Sequence, residues 1–276
     1  LAHNNLGLIF QKLGKLEEAL ACFEKAASLR PELADTYEHA LHQSELGNVE
    51  EAVDSYCGVL AIQQAMDVGT QHHQAGRLAQ AETIYQQILE TEPDQPTATH
   101  MLGVVAHQSG KNELAVRLIS RSLKKLPNLP EAHNNKGLAL RELGRLEDAG
   151  ASFRKALDFK HDFAEAHYNL GMLQLLTGNF LDGWENYAWR WKMPQYFHSR
   201  TYGDRPVWDG SPIGDKTILI HPEQGLGDTI QFVRYVHLLS ELGAHVILET
   251  PEQLLDLFKH MDDDVKLVGP GEKTPS

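Results

Sequence analysis

Three groups of residues in this 276-residue chain have the types and spacing to do chemistry. The first is the run Glu223-Gln224-Gly225-Leu226-Gly227-Asp228. Its two glycines would let backbone N–H groups approach a phosphate, and a nucleotide-binding module is one reading of the loop. The dinucleotide fingerprint wants a third glycine where Ile230 stands, so that fit is incomplete, while Glu249 at the end of the second strand is placed to meet a ribose. Asp228 with Gln231 three residues on is also a capping-box pattern, which would simply start a helix. The second group is Asn5, Asn135 and Asn169, each two residues before a glycine. A side-chain amide donates and accepts, so a row of them can hold the backbone of an extended polypeptide, or can bond within the protein itself. The third is histidine, with fifteen copies. His39 and His42 stand three apart and would need a third ligand to hold a metal, but no fixed spacing supplies one, so no metal site is assigned. His3, His133 and His167 recur at one repeat position and read as packing residues.

These residues are positioned by a repeat. Offsetting the chain by 34 residues aligns Gly69, Gly103, Gly137 and Gly171, and likewise Gly76, Gly110, Gly144 and Gly178. Between them lie Ala19, Ala52, Ala81, Ala115 and Ala149, each followed four residues later by a large residue: Phe23, Tyr56, Tyr85, Ile119 and Phe153. Pro31, Pro93 and Pro127 close several units. The segments 146–159 and 78–89 carry apolar residues at three- and four-residue spacing, as amphipathic helices do. This order resembles the tetratricopeptide repeat, a pair of helices packed through a small residue facing a bulky one. The resemblance implies a right-handed α-solenoid, mainly α, of about six units at 1–33, 34–61, 62–95, 96–129, 130–163 and 164–197. The second unit is short and has Gly58 in its second helix. A solenoid of this kind binds protein or peptide on its concave surface. The Asn-Leu-Gly contexts at Asn5 and Asn169, with Asn135 in register, are similar to the repeats of O-linked N-acetylglucosamine transferases, whose asparagines form a ladder for an extended polypeptide. The units between carry His39, Asp67 and Met101, which interrupts such a ladder.

Near residue 184 the pattern changes. All four tryptophans fall within Trp184–Trp208, and Trp184, Tyr187, Ala188 and Trp191 fall on one face of a predicted helix. That face would dock the solenoid on the C-terminal domain, or serve as an aromatic platform for sugar or peptide. Residues 198–215, rich in Pro and Gly, read as a connector. Then Thr217–His221, His245–Thr250 and Val265–Val268 read as strands, and Asp228–Leu242 and Pro251–Met261 as helices, the alternation of a small parallel α/β, Rossmann-like domain over 216–276. Ligands of such sheets sit at the carboxyl ends of strands, where the Glu223 to Asp228 loop falls.

Charge and composition exclude several classes. The formal net charge is −13 and no part of the chain offers a basic face, which argues against nucleic-acid binding. No apolar run reaches membrane-spanning length and no export signal is visible. Cys22 and Cys57 are too few for a disulfide framework and read as small buried hydrophobes, which suits a reducing, cytoplasmic location.

Trp208-Asp209-Gly210, the strand Ile218 to His221 and the run Glu223 to Phe232 together resemble bacterial repeat proteins with a C-terminal glycosyltransferase-like domain of the two-domain GT-B kind, related to heptosyltransferases. By that resemblance Gly227-Asp228 matches a Gly-Asp pair whose aspartate deprotonates the acceptor hydroxyl, a role a carboxylate can fill within hydrogen-bond reach. Glu223, Gln224, Gly225 and Gly227 would then contact substrate, with His221 beside them. The donor nucleotide-sugar of such enzymes binds mainly to a second domain, so it is expected only for a longer parent. With Leu1 entering in mid-helix, the chain reads as cut at both ends, binding rather than catalysing and needing no cofactor of its own. The competing expectation is a non-catalytic assembly scaffold whose α/β module is degenerate.

Overall fold

The computed structural model of the chain describes residues 2–28, 38, 42, 44, 48–194, 206–222, 225–261, 264–270 and 272. It divides into two compact units, Leu1–Met193 and Pro194–Ser276. The first is mainly helical. Its elements are α1 (Ala2–Lys12), α2 (Leu16–Ser28), α3 (Val49–Gln74), α4 (Leu78–Thr91), α5 (Pro96–Gln108), α6 (Asn112–Lys125), α7 (Pro130–Glu142), α8 (Leu146–Phe159), α9 (Ala164–Leu176) and α10 (Phe180–Tyr187). Consecutive helices pack as pairs, α1 on α2, α5 on α6, α7 on α8 and α9 on α10, and each pair also packs on the next.

One contact recurs inside the pairs. A methyl group added to Gly69, Gly103 or Gly137 would lie 2.5–2.6 Å from Tyr85, Ile119 or Phe153, and Gly7 faces Phe23 in the same way. The large residue stands sixteen positions after its glycine, and all four are fully buried. A hydrogen in place of Cβ is therefore what lets the second helix press its largest side chain against the first. Burial of that side chain is worth about 1.5–3 kcal/mol per unit, and the alanine four residues before it is also fully buried.

The second glycine of each unit works through conformation alone. Gly14, Gly76, Gly110, Gly144 and Gly178 have φ between 71° and 84°, with open space where a Cβ would stand. Each ends its helix in a Schellman turn. In the fifth unit Gly144 N–H donates to the Arg141 carbonyl and Arg145 N–H to that of Leu140.

The stack departs from the expected units at one junction. The boundary expected at 61/62 falls inside α3, a single 26-residue helix that serves as second helix of one unit and first helix of the next. The described loops at 92–95, 126–129 and 160–163 are four residues long with a proline or an aromatic residue; here Gly58 through Ala65 contains no helix breaker stronger than one glycine. The buried residues switch face along α3, from Ala52, Val53, Tyr56 and Leu60 to Met66 and Gly69, about a third of a turn round the helix axis. Accordingly, Leu60 belongs to the apolar cluster of the first two units and Met66 to the cluster that runs on to Val105.

At the other end, the aromatic face expected from the sequence is split. The α-helix stops at Tyr187, whose backbone N lies 2.5 Å from where a Cβ on Gly171 would be, and Ala188–Lys192 continue as a 3-10 turn. The turn stacks Trp189 on His167 at 3.9 Å and sets the Arg190 guanidinium 4.2 Å from the Tyr187 ring and 4.4 Å from that of Trp191.

The second unit contains β1 (Thr217–Ile220), α11 (Leu226–Phe232), a 3-10 turn, α12 (Val236–Glu241), β2 (His245–Glu249), a 3-10 turn, α13 (Leu255–Phe258) and β3 (Val265–Val268). The strands form one parallel sheet in the order β1-β2-β3. Ile218, Ile220, Val246, Leu248, Val265 and Leu267 turn one face toward Val236, Leu254 and Phe258, so both crossovers cover the same side. The expected helices 228–242 and 251–261 are each broken. The first begins at Leu226 and passes through a 3-10 turn at Val233–Tyr235; the second is reduced to a short α segment after a 3-10 turn.

Gly137→Ala gains helix propensity yet is expected to destabilise the protein by about 1–3 kcal/mol through overpacking. Phe153→Leu in the same chain should recover part of that loss. Urea unfolding of both singles and the double decides it, and strict additivity would refute the notch.

Candidate functional site

The first helix of each unit presents one line of residues at i, i+4, i+7 and i+11. These are Thr97, Met101, Val104 and Gln108 on α5, Glu131, Asn135, Leu138 and Glu142 on α7, and Glu165, Asn169, Met172 and Leu176 on α9. Two of the three sequence-selected asparagines are in this line, and the structure gives them partners inside the protein. The Asn169 Nδ2 donates to Asn134 Oδ1 at 3.0 Å, with both residues buried. Asn135 Nδ2 stands 3.1 Å from His100 Nε2. Asn5, by contrast, is exposed to solvent.

The partners were not picked out from sequence, though the signal is there. Each pair is 35 residues apart, joining one position of a unit to the next position of the adjacent unit. His73 Nε2 and Gln108 Oε1, 2.8 Å apart, are a third such pair at another level of the stack. At the junction where Met101 replaces asparagine, the residue 35 before it is Met66, and the two share one apolar cluster. The apparent interruption of the row is thus a change from a polar pair to an apolar pair. In the first unit the corresponding Asn4 is buried, and its Oδ1 finds no partner among the described residues. The position 35 beyond it, His39, lies outside the described residues.

Electrostatics follow from this packing. An amide N–H that points at His100 Nε2 requires a bare nitrogen there, so the imidazole is neutral with its proton on Nδ1. Burial pushes His100 down to about 4, opposed by the carboxylate of Glu131. His133 is also lowered by burial; its Nε2 donates to the Pro127 carbonyl at 2.8 Å and its ring stacks on Phe159. The His167 Nε2 bonds the carbonyl of His161 in the same way, six residues back. These two are packing residues. Among the described residues no three His, Cys, Asp or Glu side chains converge as a metal site. Cys22 and Cys57 are half-buried free thiols; burial, then Asp54, raises Cys57 to about 11.

What remains open on the first-helix line is mostly apolar or acidic. Val104 and Leu138 are half-buried and Met172 and Leu176 exposed, while Glu131 and Glu165 are exposed and form no ion pair among the described residues.

In the second unit, Glu223 and Gln224 lie outside the described residues. Gly225 is the N-cap of α11, in extended conformation at φ −65°, and Gly227 is helical. Neither needs glycine for its backbone, and a Cβ on either would meet nothing within 4 Å. Asp228 is not the cap residue that the capping-box pattern suggests. It stands in the first turn of a helix already begun at Leu226, with an exposed side chain and no bond to a cap N–H.

The neutral state of His100 carries a pH dependence. Its pKa is lower folded than the ordinary 6.5, so the unfolded chain takes the proton first. Stability should therefore fall as pH drops from about 6.5 toward 4, by up to about 3 kcal/mol from this group. Replacing the imidazole in His100→Asn should flatten the slope of urea-derived stability across that window; equal slopes would contradict the assignment.

Models of the tetratricopeptide repeat match residues 1–33, 72–137 and 137–178. No curated protein matches the chain. Among solved structures, a MamA double mutant from RS-1 is 17% identical over 72% of this chain and 96% of its own, with TM-score 0.45. The first tetratricopeptide domain of Spaghetti, bound to an HSP90 peptide, is 16% identical over 42% of this chain and 92% of its own, with TM-score 0.41. YrrB, described as having an unusual peptide-binding site, is 19% identical over 70% and 85%, with TM-score 0.41. With the 34-residue period, the paired helices and the glycine notch all in register with the matched segments, the chain is a tetratricopeptide-repeat protein.

Proposed function

We propose that the chain is a protein-binding scaffold whose first-helix line takes an extended polypeptide. The observation that supports this most is the row Val104, Leu138 and Met172, repeated every 34 residues and continued by the exposed Leu176. An extended chain advancing one apolar side chain per unit would find equivalent apolar steps. Because Asn135 and Asn169 direct their N–H groups into the stack, recognition on this reading comes from side chains rather than from an amide ladder; Asn5 alone of the three is solvent-exposed. A cytoplasmic location belongs to the same reading. No helix among the described residues is long and apolar enough to cross a membrane.

A second proposal concerns the α/β unit, as the first part of a glycosyltransferase-like, Rossmann-like domain. The observation in its favour is the carboxylate of Asp228, exposed in the first turn of α11, the first helix after β1 of a parallel sheet, a fold whose ligands commonly bind beyond the carboxyl ends of the strands. There it would take the proton of an acceptor hydroxyl. Glu223, Gln224, Gly225 and Gly227 would line the same place, and the donor nucleotide-sugar would be held by a further domain.

Dodecapeptides selected by phage display on the full chain should bind it in fluorescence anisotropy. Leu138→Glu or Met172→Glu should weaken them at least tenfold, while Asp228→Asn leaves them unchanged. Peptides indifferent to both glutamates would rule out the first-helix line. Calorimetry with nucleotide-sugars should show no saturable heat for this chain; saturation would place a donor site within it and overturn the second proposal.

A further inference from the structure

Charge is divided across the stack. The helices α3, α5 and α9 contain no Lys or Arg, whereas α6 carries Arg117, Arg121, Lys124 and Lys125, and α8 carries Arg154 and Lys155. The two cations of α7 stand off the first-helix line. Arg141 is 3.0 Å from the Glu142 carboxylate, and Lys136 is turned about 100° round the helix from Asn135. No Lys or Arg therefore belongs to the line in any of these helices.

The charges that remain on the line are negative. Glu131, Glu165 and, at the place on α3 that Asn135 takes on α7, Asp67 are exposed and form no ion pair among the described residues. Glu131 and Glu165 are each the second residue of their helix, where an acid also suits the helix dipole. Glu147, the second residue of α8, has that role away from the line and so separates the two effects. Seven residues on from Glu131 and Glu165, two turns or about 10 Å along the helix, stand Leu138 and Met172. The face thus carries an acidic row and an apolar row side by side, and the amides between them are bonded within the stack.

Spacing sets the form of a chain that could use both rows. The bonds from Asn169 to Asn134 and from Asn135 to His100 make successive first helices neighbours, and packed helices lie about 8–10 Å apart. A β-strand returns to the same face every two residues, about 7 Å, and would soon fall out of step with the units. Polyproline II returns every three residues, about 9 Å, and keeps step. Resting on the reading of the first-helix line as a polypeptide site, we propose that its occupant is a basic segment in polyproline II conformation, with one apolar side chain and one Lys or Arg in every three residues. The apolar side chains lie along Val104, Leu138 and Met172, the cations reach Glu131 and Glu165, and the backbone crosses between the rows. A segment rich in carboxylates would meet repulsion and no cation on the line.

Fluorescence anisotropy on the full chain with labelled dodecapeptides tests it. Four copies of Leu-Pro-Lys should bind roughly tenfold more tightly than four copies of Leu-Pro-Glu or of Ser-Pro-Lys, and more tightly than a block peptide with the same leucines, prolines and lysines grouped. Raising salt from about 50 to about 300 mM should weaken the Leu-Pro-Lys peptide. The double variant Glu131→Gln with Glu165→Gln should weaken it about fivefold, the loss of two exposed ion pairs, while Glu147→Gln leaves it unchanged. Equal binding of the Lys and Glu peptides, both lost in Leu138→Ser, would overturn the charge assignment and keep the apolar row. Equal binding of the block peptide would overturn the period of three. If the Leu-Pro-Lys peptide fails to bind, or ignores Leu138→Ser, the apolar row falls and this proposal with it.

Discussion

The helical unit rests on a void the size of one methyl group. Where Gly103 or Gly137 has only hydrogen, Ile119 or Phe153 sinks into the first helix, and the two helices of a unit lock at one separation and one register. That register then propagates. Because successive units repeat the same notch, a residue of one first helix meets the residue 35 further on at the junctions α3/α5, α5/α7 and α7/α9, and side chains at those positions are matched as pairs. His100 with Asn135 and Asn134 with Asn169 are polar pairs, while Met66 and Met101 meet in an apolar cluster. A polar group buried between stacked units must be matched, since an unmatched one loses about 1–3 kcal/mol of solvation.

This changes what the asparagines mean. Seen in one unit, an amide two residues before a glycine on the binding face invites a role in gripping a polypeptide backbone. Seen across the stack, its N–H group already serves the neighbouring unit. On the proposed reading, the surface left for a partner is the apolar step beside it, at Val104, Leu138 and Met172, with the carboxylates of Glu131 and Glu165 along the line.

Much of this was readable in the chain. The period, the two glycines and the alanine-to-aromatic spacing predict the helix pairs, the notch and the helix ends, because each is a local requirement on volume or on φ. The strands over 217–220, 245–249 and 265–268 were equally plain from their apolar runs. Three features were not. Fusion of two repeat helices in α3 follows from a missing loop, and a missing signal is hard to read; the rotation of its apolar face from Leu60 to Met66 is the mark that was available. The partners of Asn135 and Asn169 depend on contact between units, which a pattern confined to one unit does not contain. Around Asp228, the capping-box pattern placed the helix start two residues late because Gly225 takes the N-cap place without any side-chain bond.

The central claim is that the buried amides hold the stack together, and a double-mutant cycle on Asn134 and Asn169 tests it most directly. Urea unfolding of Asn134→Ala, Asn169→Ala and the double variant should give a coupling free energy of about 0.5–1.5 kcal/mol, the double being less destabilised than the sum of the singles. Strictly additive losses would mean that the two amides do not depend on each other, and would return Asn169 to the surface as a group waiting for a partner.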